Sequence, residues 1–426
     1  MMKSLLLKFR SNDFLKNSLT LSSGVALAQI IPFLFYPLLG RIFSAEEFGL
    51  LATLTSITSI LAVLGSGKYE SGIIISGNKL EGANLAVLSV VVGFVTMFVS
   101  WVLCQFVFIG PLSRWLEEPS LNRWIYICPL SAFFIIVFNV YNEWCVKERY
   151  FKSLSVNKMV NSGAIALSKT FLGFVKISSQ GLVIGDLVGR GISAAGCMIR
   201  AWIKDGQTFA QTTWAEMGRC AVKYKEFPLY TMPGRLLNTI GQSIPVLLIA
   251  FYYGKTEVGY FSMAMTLFSV PINIFSTSVS DVYRQRASEE YRQQGNCLAS
   301  FDRVMKILTI CGVAAFMVFE WILPQVTQFI LGKQWLVAGR YAQILAPAMV
   351  VMFVSNSLSG IFIVTERLKA FFWWQVYFAV TTLLSVWLGP ILFDGIEGTL
   401  ILFSALRITA YLASLVMTRR YARGQK

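Results

Sequence analysis

Four basic residues, Lys169, Arg190, Arg235 and Arg407, fall inside apolar stretches long enough to cross a bilayer. A cation near the middle of a spanning helix costs about 2.5–3.5 kcal/mol on insertion scales, so each needs a partner or a task. Asp186 lies four residues before Arg190 on the same helical face, and the two can neutralise each other. Gly181, Gly185 and Gly189 recur at every fourth position around them, a small-residue face suited to close helix packing. That pair reads equally as a structural device or as part of a binding site. Lys169, Arg235 and Arg407 have no acidic residue three or four positions away. A guanidinium facing water inside a membrane suits a diphosphate, which its planar fork grips through two hydrogen bonds. Arg235 lies about two turns inside its span, within reach of the surface by snorkelling, whereas Arg407 is deeper.

Other chemistries are excluded by residue type. The chain has no His, which removes imidazole relays, His-ligated zinc and Ser-His-Asp triads. Gly65-Ser66-Gly67-Lys68 has neither the upstream Gly nor the following Ser/Thr of a nucleotide-binding loop. Glu46 and Glu47 are adjacent, so a helix points them apart, and they read as a solvated turn. The seven cysteines include no CxxC pair and read as small apolar fillers. No catalytic residue and no metal ligand set emerges, so an enzyme is not expected.

The elements that must position the cations follow from composition. Of 426 residues, 55% are hydrophobic and only 14% charged, against about 25% charged in an average soluble chain. Apolar stretches fall near 17–40, 48–67, 83–108, 124–141, 159–175, 181–199, 229–253, 259–281, 307–324, 341–363, 371–389 and 398–417, twelve in all. With the N-terminus in the cytoplasm, the cytoplasmic segments hold 26 of the 37 Lys and Arg and the opposite loops hold 7. That asymmetry is the positive-inside rule, so both termini are expected in the cytoplasm and the net charge of +15 calls for no nucleic acid. Trp115, Trp124 and Trp387 fall at the outer boundary and Trp144, Trp202, Trp373 and Trp374 at the inner one, as an interfacial belt would place them. Residues 1–11 are too short and too charged for a signal peptide.

An internal repeat sets the domain plan. Ala28-Gln29-Ile30-Ile31-Pro32 and Glu47-Phe48-Gly49 return as Gly241-Gln242-Ser243-Ile244-Pro245 and Glu257-Val258-Gly259, offset by 213 and 210 residues. The offset is close to half the chain, so each half holds six helices and the two copies run parallel, a two-lobe transporter plan. The expected divisions are an N-terminal lobe 1–202, a basic amphipathic cytoplasmic linker 203–228 and a C-terminal lobe 229–426. The fold class is therefore all-α and polytopic, with a central cavity between lobes. Pro32 and Pro245 remove a helix hydrogen bond at matching places and are candidate hinges.

Several strings resemble the bacterial polysaccharide flippases, the O-antigen branch of the multidrug/oligosaccharidyl-lipid/polysaccharide exporter superfamily. They are Gly67-Lys68-Tyr69-Glu70-Ser71-Gly72-Ile73-Ile74, then Glu81-Gly82-Ala83-Asn84-Leu85, Phe151-Lys152-Ser153-Leu154 and Phe227-Pro228-Leu229-Tyr230. Further matches are Val258-Gly259-Tyr260-Phe261, Leu331-Gly332-Lys333-Gln334-Trp335 and Ala338-Gly339-Arg340-Tyr341-Ala342, so the likeness covers nearly the whole chain. Each string is weak alone, and their order and spacing together are specific.

The resemblance implies a flippase that carries undecaprenyl-pyrophosphate-linked oligosaccharide, an O-antigen or similar lipopolysaccharide unit, across the bacterial inner membrane by alternating access. In that setting Arg235, Arg407, Lys169 and Arg190 become candidate pyrophosphate ligands, with Arg41 at the outer mouth. Gln29, Gln242, Asn238, Asn273 and Asn356 could bond sugar hydroxyls. Asp186, Glu320 and Asp281 are the carboxylates available to couple a proton or sodium gradient; no other cofactor is expected. Partners would be the lipid-linked glycan, the bilayer, and the polymerase and glycosyltransferases of the same pathway. A multidrug exporter of the same superfamily is the alternative, disfavoured by the cationic spans. A membrane polysaccharide polymerase or glycosyltransferase is a further one, disfavoured because the longest outer loops, 109–123 and 325–340, are short.

Overall fold

The computed structural model describes residues 13–104, 124–175 and 180–424; the outer loop 109–123 and Lys176 lie outside the described residues. Hydrocarbon offers backbone groups no water, so spanning segments close their hydrogen bonds internally as helices. Among the described residues the regular structure is helical throughout. The helices are α1 (Asp13–Ile42), α2 (Ala45–Gly65), α3 (Lys79–Leu103), α4 (Ile127–Lys147), α5 (Phe151–Phe174), α6 (Gly181–Ala210) and α7 (Trp214–Lys223). They continue with α8 (Met232–Tyr253), α9 (Lys255–Gln294), α10 (Leu298–Leu331), α11 (Leu336–Leu358), α12 (Leu368–Leu392) and α13 (Ile396–Ala422).

Ten helical stretches among the described residues are long and apolar enough to cross a membrane, and α10, bent by 61° between Val318 and Glu320, makes an eleventh. The remaining expected span, 159–175, lies in α5, where Lys152, Lys158, Lys169 and several Asn and Ser dilute the apolar character. Large apolar side chains such as Phe94, Phe98, Trp321 and Phe329 point outward, as they do where the surrounding solvent is lipid. The segment 282–306, expected as a connection, is a continuation of α9 and α10 joined at Gly295, which takes the left-handed φ of 67° that ends α9. Tyr283, Ala287, Cys297, Phe301 and Leu308 bury one another there, against Leu358 and Ala422.

The chain divides into two compact units. Unit 1 holds the described residues through Phe43 together with Leu54–Thr239, and unit 2 holds Ser44–Thr53 and Ile240–Lys426. The expected division differs from this: the segment 203–228 is part of unit 1 rather than a separate linker, residues 229–239 with Arg235 and Asn238 also belong to unit 1, and Ser44–Thr53 belongs to unit 2. For 203–228 the reason is local. Met217 and Cys220 of α7 are buried toward α3, Asn84 Oδ1 accepts the Thr213 amide, and Tyr69 donates its hydroxyl to the Ala221 carbonyl. Lys223 pairs with Glu81, whose carboxylate also accepts the Gly77 amide while Asn78 caps the start of α3. The motif residues Tyr69, Glu81 and Asn84 are thus the attachment points of this segment. Unit 1 has a continuous core in which Trp144, Ile73, Leu85 and Ile136 are fully enclosed.

In unit 2 the start of α2 crosses the start of α9 with backbone on backbone. A Cβ on Gly49 would sit 1.7 Å from the Lys255 carbonyl oxygen, and one on Gly259 would sit 1.8 Å from the Ala45 carbonyl oxygen. The two contacts are reciprocal and keep the 210-residue offset of the sequence repeat at both residues of each pair. Glu46 pairs with Lys255 at 2.7 Å beside the crossing, and Tyr341 donates to Glu257 at 2.5 Å. Phe48 and Tyr260 meet the buried Trp335 edge-on, with ring centroids 5.1 and 6.1 Å away. The matched strings around Val258, Gln334 and Gly339 therefore converge on one packing node.

Candidate functional site

The cation cluster of unit 1 is built by glycine. Gly185 and Gly189 of α6 lie against the backbone of α5, where a Cβ would come within 2.6 Å of the Lys169 Cα and 2.4 Å of the Ile165 Cα. That approach brings Lys169 onto a carboxylate of the neighbouring helix. Lys169 Nζ is 2.8 Å from Asp186 Oδ1, and Arg190 Nε is 2.5 Å from Asp186 Oδ2. Two cations share one carboxylate, so the cluster keeps a formal charge of +1 between α5 and α6. Lys169 and Arg190 retain 13% and 21% of their side-chain exposure, whereas Asp186 is enclosed at 8%. Both Asp186 oxygens are engaged, one by each cation.

Arg407 belongs to unit 2 and is buried on α13. Its guanidinium carbon stands 4.5 Å from the Phe403 ring centre and 5.1 Å from that of Phe378 on α12. Its Nε has no hydrogen-bond acceptor. Desolvated cation–π contacts are worth about 2 kcal/mol, well below the cost of enclosing a charge without a counter-ion. Arg407 is thus buried within the protein, and its side chain ends in an aromatic enclosure.

The other expected residues are dispersed. Arg235 is exposed on α8, and Arg41 is exposed in the last turn of α1, where a cation suits the helix dipole. Gln29 has a buried Oε1 with no donor, Asn238 and Asn356 are half-buried, and Gln242 and Asn273 are exposed. Pro32 lies partly buried inside α1 and Pro245 buried inside α8. Glu320 stands at the bend of α10: its carbonyl accepts from Gln343 Nε2, and its Oε2 is buried without a donor. Asp281 falls within α9, with its side chain outside the described ones. Among the described residues no group of three or more His, Cys, Asp and Glu could hold a metal ion.

Sequence reasoning missed a second charged node. Asp205, buried at a non-helical kink near the end of α6, accepts from Lys79 Nζ at 2.5 Å, Trp144 Nε1 at 2.9 Å and the Tyr150 hydroxyl at 3.3 Å. Burial and the Asp205 charge push the Tyr150 phenol above its ordinary range, so it remains a donor. A polar residue interrupting the amphipathic end of α6, with the aromatic pair Trp144 and Tyr150 six residues apart, was the available signal.

Comparisons with known proteins accord with this architecture. The lipid II flippase MurJ in an inward closed conformation matches over 93% of this chain and 87% of its own, with a TM-score of 0.73 and 14% identity. A multidrug resistance MATE family transporter in an inward-facing conformation matches over 93% of this chain and 98% of its own, with a TM-score of 0.69 and 16% identity. At these identities the likeness shows a shared fold. The succinoglycan biosynthesis transport protein ExoT of Rhizobium meliloti is 22% identical over 378 residues, 87% of this chain and 72% of that protein. The family model described as "Polysaccharide biosynthesis protein" matches residues 38–340, most of the described helices, and the chain belongs to that family.

Proposed function

We propose that this multi-pass membrane protein is a flippase that moves a lipid-linked oligosaccharide, of the undecaprenyl-pyrophosphate class that serves O-antigen and similar surface polysaccharides, from the cytoplasmic to the periplasmic leaflet. The observation that carries this reading is the Lys169–Asp186–Arg190 cluster. It is a partly accessible surplus positive charge between α5 and α6 of a polysaccharide biosynthesis family member. A diphosphate gains charge-assisted hydrogen bonds there that a neutral or cationic solute does not. Exposed Arg235 supplies a second contact, Arg41 an exit contact, and Gln29 an acceptor for a sugar hydroxyl. Transport proceeds by alternating access, with the prenyl tail left in lipid and Pro32 and Pro245 as hinges. The host is a bacterial inner membrane with both termini in the cytoplasm. A polymerase and glycosyltransferases act on the same glycan before and after the step. A proton or sodium gradient drives it, with Glu320 a candidate carboxylate whose Oε2 has no donor.

The test is Lys169→Gln. It removes the surplus charge and leaves the Asp186–Arg190 pair neutral, so normal amounts of protein should reach the membrane while complementation of a flippase-deficient strain is lost. Full complementation by that variant, or efflux of amphiphilic cations by the unmodified protein, would remove the basis for this reading and favour a multidrug exporter.

A further inference from the structure

We propose that unit 2 contains a binding site for a small inorganic anion of halide size, held by Arg407 and Thr382 in the seam between α12 and α13. Arg407 is 6% exposed, and Thr382, one turn along α12 from Phe378, is 1% exposed. Both are donors without an acceptor: the Arg407 Nε and the Thr382 Oγ1 are buried and make no hydrogen bond. The register of the helix pair brings Thr382 within about one turn of Arg407 along the seam. Trp374 Nε1 bonds the Ala410 carbonyl, Tyr377 bonds Thr409, and Gly389 lies against Thr399, so antiparallel α12 and α13 place Thr382 opposite the turn that precedes Arg407.

Among the described side chains no carboxylate accepts from the Arg407 Nε. Segments α8, α11 and α12 contain no Asp or Glu, and Glu397 lies ten residues up α13, about 15 Å away along the axis. Asp302 is taken by Arg419 at 2.8 Å, and among the described residues Glu320 makes no ion pair with Arg407. Aromatic rings stabilise a guanidinium through their faces and offer its N–H groups no acceptor, and at Arg407 the Nε is the donor left without one. A bare anion completes such an edge, and a hydroxyl donor opposite completes the anion's shell. The enclosure by Phe378, Phe403 and Tyr411 favours a halide over a bulky diphosphate ester. This site is independent of the glycan reading, because it concerns a group the cluster around Asp186 does not touch.

The experiment is thermal unfolding of the purified full-length protein, followed by tryptophan fluorescence, with gluconate exchanged for chloride or bromide at constant ionic strength. A ligand that binds only the folded state raises the midpoint saturably. The expected results are such a rise for both halides, its loss in Arg407→Gln, and its retention in Arg420→Gln, at an exposed residue near the end of α13. Thr382→Val, which keeps the shape and removes the donor, should raise the half-saturating halide concentration about tenfold, and it carries the test should Arg407→Gln fail to accumulate. Equal midpoints in gluconate and chloride would overturn the proposal, as would an undiminished halide response in Arg407→Gln or, if that variant cannot be obtained, in Thr382→Val. An Arg407-dependent rise with inorganic pyrophosphate but not with halide would overturn it in favour of a headgroup contact.

Discussion

The glycine crossing of α2 and α9 makes a quantitative prediction. In Gly49→Ala the new methyl carbon falls 1.7 Å from the Lys255 carbonyl oxygen and 3.0 Å from the Gly259 amide nitrogen, where real Cβ contacts do not come closer than 3.0 Å. Both obstacles are backbone, so no side chain can rotate away and the helices must part by more than an ångström. Overpacking of this kind costs about 1–3 kcal/mol, and the backbone partners place it toward the upper end. The intrinsic helix preference of Ala returns up to about 1 kcal/mol, leaving a net loss of roughly 1–2 kcal/mol. Gly163 and Gly218 have open space where their Cβ would stand, so the same substitution there should stabilise by about 0.5–1 kcal/mol. Unfolding midpoints measured at one scan rate in detergent compare the variants. The order expected is Gly163→Ala and Gly218→Ala above the unmodified protein and Gly49→Ala below it. Gly259→Ala should match Gly49→Ala, and the double variant should lose less than the sum, since helices parted by one methyl accept the second. A Gly49→Ala midpoint equal to that of Gly163→Ala would refute the crossing.

Three further outcomes follow from particular contacts. Asp186→Asn leaves Lys169 and Arg190 facing each other without a counter-charge, so folded abundance should fall by the equivalent of about 3–5 kcal/mol, and Lys169→Gln in the same chain should restore part of it; membrane fractions quantified by blot decide. Asp205→Ala removes the acceptor shared by Lys79, Trp144 and Tyr150. Because Lys79 is half open to water the loss should be about 1–2 kcal/mol, read as faster proteolysis within 203–228 while the rest of unit 1 stays protected. Replacing Pro32 or Pro245 by Ala restores a helix hydrogen bond worth part of the roughly 3 kcal/mol that an interior proline costs, and should slow glycan export without lowering abundance; export at the unmodified rate by both variants would make them ordinary packing residues.

How much of this was legible in the sequence depends on how far apart the interacting residues lie. The pairing of Asp186 with Arg190 was readable because a helix fixes the geometry of residues four apart. Lys169 looked unpaired because its partner sits on another helix, yet the glycine face on α6 already implied an approach close enough for a second cation to arrive. The place of Arg407 within an apolar stretch was readable from the sequence, while its orientation was not, since a mean hydropathy pattern does not say which face of α13 meets α12. The segment 203–228 read as a linker because its charges and amphipathicity are those of a surface element. Its attachment to unit 1 depends on Asn84, Glu81 and Tyr69, more than a hundred residues away in the chain, and on a kink at Asp205 that propensity alone does not announce.

The two units handle positive charge differently, and the difference bears on which solutes the protein can accept. In unit 1 a surplus charge of +1 is spread over Lys169 and Arg190 and remains partly accessible, while in unit 2 the guanidinium of Arg407 is enclosed by rings. A monovalent cation brought to about 10 Å from the unit 1 cluster meets a repulsion of roughly 1.7 kcal/mol at an effective dielectric constant of about 20, more than a tenfold penalty in occupancy. A dianionic diphosphate at the same distance gains about twice that energy, and direct hydrogen bonds add to it. The discrimination between an amphiphilic cation and an anionic lipid headgroup therefore exceeds about 5 kcal/mol before any contact with the sugar is counted. A fold shared with multidrug exporters does not by itself confer their selectivity: on the proposed reading the sign of a few intramembrane charges reverses it, and Lys169→Gln, which leaves the Asp186–Arg190 pair neutral, is the variant that tests this.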